Sequence, residues 1–241
     1  MHRVLIVELR KLNRSLAAAL AIAAPGLIAV FTFFNMLRGK APQPWDIWMV
    51  GATGIWAFFM LPMSVTALTA LVAHMEHGPR TWDHLRALPL PRWTLYAAKA
   101  LSVFLVLALM SVGVFVLSWA AVKLAVVLKP ELAPTGVFDA STYLTTLGRM
   151  YLAATLVVVI QLWISLRWSS FVPGLVVGIG GTFFAVVATS ARIGVFLPWQ
   201  MPVNMLATEG WRMQTALGLG IGGGLVLLVL MLWHLSRREV L

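Results

Sequence analysis

The stretch that decides the fold is LYAAKALSVFLVLALMSVGVFVLSWAAVKLAVVL, which runs from Leu95 to Leu128. Its only charged residues are Lys99, near the start, and Lys123, near the end. A helix rises about 1.5 Å per residue and needs about 20 apolar residues to cross the hydrocarbon core of a membrane. This stretch is longer, so we expect a membrane-spanning helix that tilts or projects from the bilayer.

The rest of the chain has the same apolar character. Of its 241 residues, 61% are hydrophobic and 11% are charged, whereas a soluble domain has about 25% charged residues. No water-soluble fold can bury this much apolar surface. The sequence therefore predicts an all-α integral membrane protein, with residues 1–241 forming a single transmembrane domain. The chain has no cysteine, which excludes disulfides, iron–sulfur clusters and cysteine nucleophiles.

Six segments are apolar and long enough to span the membrane, and short loops join them. Residues 1–15 before the first span predict an amphipathic interfacial helix. The longest outside segment, residues 192–213, mixes apolar and polar residues, and we expect it to lie at the interface with Trp199 and Trp211 at headgroup depth. The predicted spans are residues 16–37, 47–73, 95–128, 143–166, 171–190 and 214–235.

The basic residues set the expected orientation. With the N-terminus in the cytoplasm, eleven of the 18 Lys and Arg residues lie on the inner side, which is the side that positive charge favours. Both termini and the loop at residues 74–93 are then cytoplasmic. Basic residues that flank the spans also account for the net charge of +10, so nucleic acid is not an expected partner.

The predicted spans carry few groups that could do chemistry. Glu76, Lys123 and Arg149 lie near span ends, and no Asp, Glu, Lys or Arg is expected deep in a span, where ion-driven carriers keep such groups. The spans contain no paired aspartates, HExxH or Gly-x-Ser-x-Gly motif, which disfavours an intramembrane protease. GLGIGGG, Gly218 to Gly224, lacks the preceding strand of a nucleotide loop and indicates close helix packing.

The loop HMEHGPRTWDHLRALPLPRW, residues 74–93, is rich in polar and charged residues, unlike the apolar segments around it. Thr81 can cap the start of a short helix, and Pro89 and Pro91 would end it. Trp82, Leu85 and Leu88 recur every three residues and share one face of it. Two turns are marginal alone in water, so this helix needs a surface, which is either lipid or a protein partner. A chain without its own energy source favours a motor subunit outside the chain, but the residues leave both alternatives open.

The loop resembles the segment after the second span of ATP-binding-cassette (ABC) type-2 permeases. Within that family it is similar to the lantibiotic and bacteriocin self-protection branch and its bacitracin-export relatives. ELRKLNRS, Glu8 to Ser15, is similar to the family's amphipathic N-terminal helix, and PWQMP, Pro198 to Pro202, also resembles the family. The loop residues that carry the resemblance are Glu76, His77, Thr81, Trp82, His84, Leu85, Ala87, Leu88, Pro89, Leu90, Arg92 and Trp93.

The resemblance implies a non-enzymatic permease subunit of an ATP-driven exporter in the bacterial cytoplasmic membrane. The implied partners are two cytoplasmic ABC ATPase subunits, which would bind ATP and Mg²⁺, a second identical or homologous permease chain, and membrane lipid. The implied cargo is hydrophobic or amphipathic, such as an antimicrobial peptide. No cofactor or metal is expected in this chain. The alternative is a non-transporting membrane anchor or sensor that docks a cytoplasmic ATPase or kinase.

The resemblance also assigns roles to residues. In the family the loop helix docks in a cleft of the ATPase, so Trp82, Leu85 and Leu88 would fill that cleft. Glu76 is expected to fix the loop to the N-terminal helix or to the span ends. The residues assigned to ATPase coupling are Glu76, His77, Thr81, Trp82, Leu85, Arg86 and Leu88. Those assigned to the N-terminal helix are Glu8, Arg10, Lys11 and Arg14.

Overall fold

The computed structural model describes residues 2–77 and 90–237, and the regular structure within these ranges is helical. π-Helical turns join α3 to α4 (Trp56–Met60) and α9 to α10 (Leu219–Gly223). The α-helices of the described ranges are α1 His2–Leu12, α2 Leu16–Leu37, α3 Trp45–Ile55, α4 Leu61–His77, α5 Arg92–Leu128, α6 Ala140–Ala153, α7 Thr155–Arg167, α8 Val172–Val187, α9 Gly210–Gly218 and α10 Gly224–Arg237.

Four of the described helical units are long and apolar enough to cross a membrane. This confirms the all-helical membrane fold, and the first unit has the predicted bounds. The second is longer than expected at both ends, and the sixth predicted span is likewise extended. The four units are Leu16–Leu37, Trp45–His77, Arg92–Leu128 and Gly210–Arg237.

The fourth and fifth predicted spans differ from expectation. Helices α6 and α7 meet at a 41° bend after Ala153 and count as a fifth crossing only if taken together. Helix α8 has 16 residues, about 24 Å, which is short of a hydrocarbon core of about 30 Å. The described residues therefore give four to five candidate spans of full length, not six.

Close packing of glycines accompanies the bend. A Cβ on Gly220 would lie 2.4 Å from the Ala153 carbonyl oxygen, and one on Gly224 would lie 2.7 Å from Thr155 Cγ2. The π-helical turn of the last span therefore presses on the α6–α7 junction, as the packing interpretation of GLGIGGG predicted. Gly218 and Gly222 have open space instead, so the approach follows one face only.

Proline does not end the first span. Pro25 lies inside α2, although a helical proline loses one backbone hydrogen bond and tends to kink the helix. Its ring packs on α5, where a Cβ added to Gly113 would lie 3.3 Å from Pro25 Cβ and Cγ. The missing side chain of Gly113 thus allows α2 and α5 to run closely together.

The segment between α8 and α9 is more buried than the sequence suggested. It forms the 3₁₀ turns Arg192–Phe196 and Val203–Leu206, and Gln200 and Asn204 between and within them are buried. Trp199 packs on α8, since a Cβ on Gly181 would lie 2.5 Å from its indole ring. The segment packs back against α6 and α9.

The molecule has two ends that matter for function. The charged end contains α1, the last turn of α4 and the first turns of α5, and the loop 78–89 connects at this end. The opposite end contains the last turn of α2, the first turn of α3, the end of α5 and the start of α6. There Lys129 Nζ at the end of α5 donates to the Leu37 carbonyl at the end of α2 (3.0 Å).

Candidate functional site

Four side chains at the charged end form a closed ring of alternating charge, here called the ion ring. Lys11 Nζ lies 2.9 Å from Glu8 Oε1 and 2.7 Å from Glu76 Oε1. Lys99 Nζ lies 2.8 Å from Glu8 Oε2 and 2.8 Å from Glu76 Oε1. Each ammonium therefore touches both carboxylates, and each carboxylate accepts from both lysines.

The ion ring is almost completely removed from solvent. Lys99 is 1% exposed, Glu76 2% and Glu8 5%, while the Lys11 side chain keeps 31% of its surface. Burying an ion costs several kcal/mol, and the cost is offset only when charged partners and good hydrogen bonds surround it. The four charges of the ring sum to zero, and every one has two opposite neighbours. The ring satisfies that condition.

Three helices contribute to the ion ring. Glu8 and Lys11 are three residues apart on α1 and so face the same way. Glu76 lies in the last turn of α4, and Lys99 lies seven residues after Arg92, where α5 begins. The ring therefore fixes the N-terminal helix to the two helices that flank the loop 78–89.

Lys99 corrects the expectation that spans carry no buried charge. The sequence places it inside a predicted span but near the cytoplasmic end, a position that predicts a flanking residue. In the structure it is enclosed, with carboxylate partners 23 and 91 residues away in the chain. No signal in the sequence distinguishes it from an ordinary flanking lysine, because Glu8 and Glu76 each have basic residues nearby in their own segments.

Lys11 stays an ammonium group in this environment. Partial burial works against its charge, but hydrogen bonds to the carboxylates of Glu76 and Glu8 outweigh burial and raise its pKa above the ordinary lysine value. The charge-assisted bonds of the ring are of the short, strong class. Lys11 therefore keeps its positive charge at neutral pH.

Two of the residues predicted for the N-terminal helix lie apart from the ring. Arg10 and Arg14 are exposed, and Arg14 adopts φ 60° where the chain turns from α1 into α2. Ser15 caps α2 by accepting from the Ala17 N–H (3.2 Å). The predicted residues Thr81, Trp82, Leu85, Arg86 and Leu88 lie outside the described residues.

His77 lies beside the ring but on another face. It lines a small cavity together with His74, Ser165 and Phe171, where α4 meets α7 and the start of α8. The rings of His74 and Phe171 make an edge-on contact at 6.4 Å. The end of α4 is thereby held on two sides, by the ion ring and by this aromatic contact.

The arrangement can pass a displacement between elements. The loop 78–89 leaves α4 two residues after Glu76, and it returns to α5 at Arg92, before Lys99. A force on the loop thus acts on both helices close to the ring. Because three helices share buried charges, they cannot separate without exposing an unpaired ion.

Comparison with known proteins gives one family. The family model described as ABC-2 family transporter protein matches residues 4–188, which include most of α1, the four residues of the ion ring and the loop 78–89. No curated protein and no solved structure shows significant similarity to the chain.

Proposed function

The chain belongs to the ABC-2 transporter family, whose members are membrane subunits of ABC transporters, and we propose that an ABC ATPase moves its helices through the loop 78–89. The predicted helix around Trp82 and Leu85 is the docking element. The chain itself does no chemistry. ATP and Mg²⁺ bind to the separate ATPase subunits.

The ion ring is the observation that carries this proposal. It ties Glu76 and Lys99, on either side of the loop, to Glu8 and Lys11 of the N-terminal helix. A docking helix is effective only if its displacement reaches the spans instead of bending a loose connection. The buried ring supplies a stiff connection on both sides of the loop.

Six crossings with both termini in the cytoplasm complete the proposed topology. Helix α8 continues into the 3₁₀ turn Ala188–Ser190, and the two together reach about 30 Å, the thickness of the hydrocarbon core. The bent α6–α7 pair supplies another crossing. An even number of crossings puts both termini on the side of the charged end.

The proposed cargo is a hydrophobic or amphipathic molecule, such as an antimicrobial peptide, exported by a pair of permease chains. The apolar composition of the spans supports it, since a greasy cargo needs no charged path. The one buried group of charges in the described residues is neutral overall and lies at the charged end, outside the middle of the spans. This placement suits coupling better than ion transport.

The test compares two apolar-to-charged substitutions. Leu85→Asp puts a carboxylate on the proposed docking face, whereas Val137→Asp changes a loop residue at the opposite end that is 92% exposed. The detergent-solubilised chain is used as bait, and the co-purified proteins are identified by mass spectrometry. We expect the wild type and Val137→Asp to retain an ABC ATPase and Leu85→Asp to lose at least nine-tenths of it.

Three outcomes would count against the proposal. An ATPase retained equally by Leu85→Asp would exclude docking through this face of the loop. Absence of an ATPase from all three samples would favour a loop that lies on lipid. A sensor kinase in place of the ATPase would favour the anchor or sensor alternative.

A further inference from the structure

The opposite end carries an apolar groove on its outer surface. Helix α2 forms one wall and the α3–α4 unit forms the other, around a volume of about 640 Å³. Ile55 and Met60 contribute the second wall. Ile55 directly precedes the π-helical turn Trp56–Met60, and Met60 is its last residue. π-Helical turns are rare and recur at functional sites. The apolar side chains of the α2 wall are Leu27, Ile28, Val30, Phe31 and Phe34.

The groove has the length of one membrane leaflet. Leu27 lies at the middle of α2 and Arg38 directly follows its last residue, Leu37. The distance between them along the helix is about 16 Å, and half of a hydrocarbon core is about 15 Å. The groove therefore runs from the bilayer midplane to the headgroup level of the leaflet at the opposite end.

The groove ends in polar groups that suit an anion. Asn35 and Arg38 both line it and both are exposed. No hydrogen bond or ion pair joins the Arg38 guanidinium to the residues that the structure describes, whereas Arg167 and Arg237 lie over the rings of Trp168 and Trp233. No acidic residue lines the groove. A guanidinium in this position matches a phosphate, which it can bind with two parallel hydrogen bonds.

We propose that this groove binds an anionic phospholipid. One acyl chain lies along Leu27, Phe31 and Phe34, and the phosphate is held by Arg38 with the Asn35 amide as a second donor. The occupant is a lipid of the surrounding membrane, because the groove opens sideways, spans a single leaflet and places its one cation at headgroup depth. The site is separate from the ion ring, which lies at the other end of the same helices.

The headgroup half of the proposal is tested by native mass spectrometry of the full chain. Phosphatidylglycerol or phosphatidylcholine with the same acyl chains is added to the delipidated protein in detergent. We expect wild type to retain phosphatidylglycerol better, and Arg38→Gln to reduce that retention about fivefold. Lys40→Gln, an exposed cation two residues away that does not line the groove, is the control and should leave retention unchanged. Equal loss in both variants, or equal retention of the two lipids by wild type, would overturn the proposal.

The acyl half is tested by filling the groove. Val30→Trp adds a bulky ring to the groove wall, and Val127→Trp makes the same change at an exposed site on α5 outside the groove. We expect Val30→Trp to lower retention of phosphatidylglycerol and Val127→Trp to leave it unchanged. Unchanged retention in Val30→Trp would overturn the proposal. A lower share of dimer with unchanged lipid would also overturn it, because a second copy of the chain would then occupy the groove.

Discussion

The two ends of the molecule are held together by different interactions. At the charged end, four ion pairs among Glu8, Lys11, Glu76 and Lys99 are buried between three helices. At the opposite end, a buried apolar cluster that includes Met36, Trp45 and Val122 packs the helices together, and the polar connections are hydrogen bonds. Backbone groups pair residues 43–45 with Thr135, and two side-chain bonds add to them, Lys129 to the Leu37 carbonyl and Tyr143 to Asp46.

The difference separates a connection that must stay closed from one that can open. Breaking a buried ion pair by removing one partner costs about 3–5 kcal/mol. A backbone hydrogen bond near water contributes about 1 kcal/mol, an exposed bond such as that of Lys129 contributes no more, and water can replace both. We therefore expect the helices of the charged end to move as one body, and the opposite end to accommodate the resulting rearrangement.

Lys99→Met is expected to have the largest effect on this comparison. It removes the most buried cation and leaves the ring with one uncompensated negative charge. We expect the free energy of unfolding to fall by about 3–5 kcal/mol, measured by thermal unfolding of the purified chain in detergent. Lys129→Met, at the opposite end, removes one exposed bond and should cost less than about 1 kcal/mol.

A double variant shows whether charge imbalance is the cause. Glu8→Gln combined with Lys99→Met restores neutrality and leaves the Lys11–Glu76 pair. We expect it to be more stable than Lys99→Met alone by at least about 1 kcal/mol. If the stability losses of Glu8→Gln and Lys99→Met simply added, packing and not charge would hold the charged end. Equal stability losses for Lys99→Met and Lys129→Met would mean the same.

Glu76→Gln is expected to have the next largest effect. The amide keeps the shape of the side chain and one acceptor, so the chain should still fold, with a stability loss of about 1.5–3 kcal/mol. Since Glu76 is bonded to the N-terminal helix through Lys11, the proposed coupling predicts that the ATPase still binds but is less stimulated by cargo. Glu131→Gln, an exposed acid beyond the end of α5, should change neither binding nor stimulation.

The parts of the fold that the sequence predicts are those with a local cause. The first span has its predicted bounds because a mostly apolar run without charged residues lies between the Ser15 cap and Arg38. The bend at Ala154 has no proline to announce it. It coincides with the approach of Gly220 and Gly224, which are distant in sequence. The π-helical turns likewise leave no local pattern. The second and sixth spans exceed their predicted bounds because their helices continue past the apolar run into polar residues such as Asp46, Glu76 and Arg237.

The candidate site divides in the same way. Glu8, Lys11 and Glu76 could be selected because they lie in segments of recognisable polarity. Lys99 could not, because a lysine near a span end is ordinarily a flanking residue whose charge reaches the interface. Only the packing of α1 against α5 shows that this lysine faces inward. The roles of Trp82, Leu85 and Leu88 remain predictions.

Tyr143→Phe sharpens the comparison from the other end. The Tyr143 hydroxyl donates to Asp46 and joins α6 to α3. Because the acceptor is a carboxylate, its removal should lower the free energy of unfolding by about 1.5 kcal/mol and leave ATPase stimulation intact, as thermal unfolding and ATP hydrolysis can show. Asp46→Asn with and without Tyr143→Phe provides a double-mutant cycle. A loss as large as that of Lys99→Met would remove the distinction between the two ends.

The smallest expected effect is a pH dependence carried by Lys11. The pKa of Lys11 is raised in the folded protein, so its stabilising contribution is complete below the unfolded value of 10.5 and is lost as the pH rises through the higher folded pKa. The side chain is 31% exposed, and solvent screening limits the contribution to less than about 1 kcal/mol.

The difference in unfolding free energy between wild type and Lys11→Met should therefore be constant from pH 7 to about pH 10 and shrink above 10.5. Lys40→Met, at an exposed lysine, should give a flat difference throughout. If the Lys11 difference also stayed flat to pH 11.5, the ring would be held by Lys99 and its two carboxylates alone, and the link between the N-terminal helix and the loop would rest on Glu8.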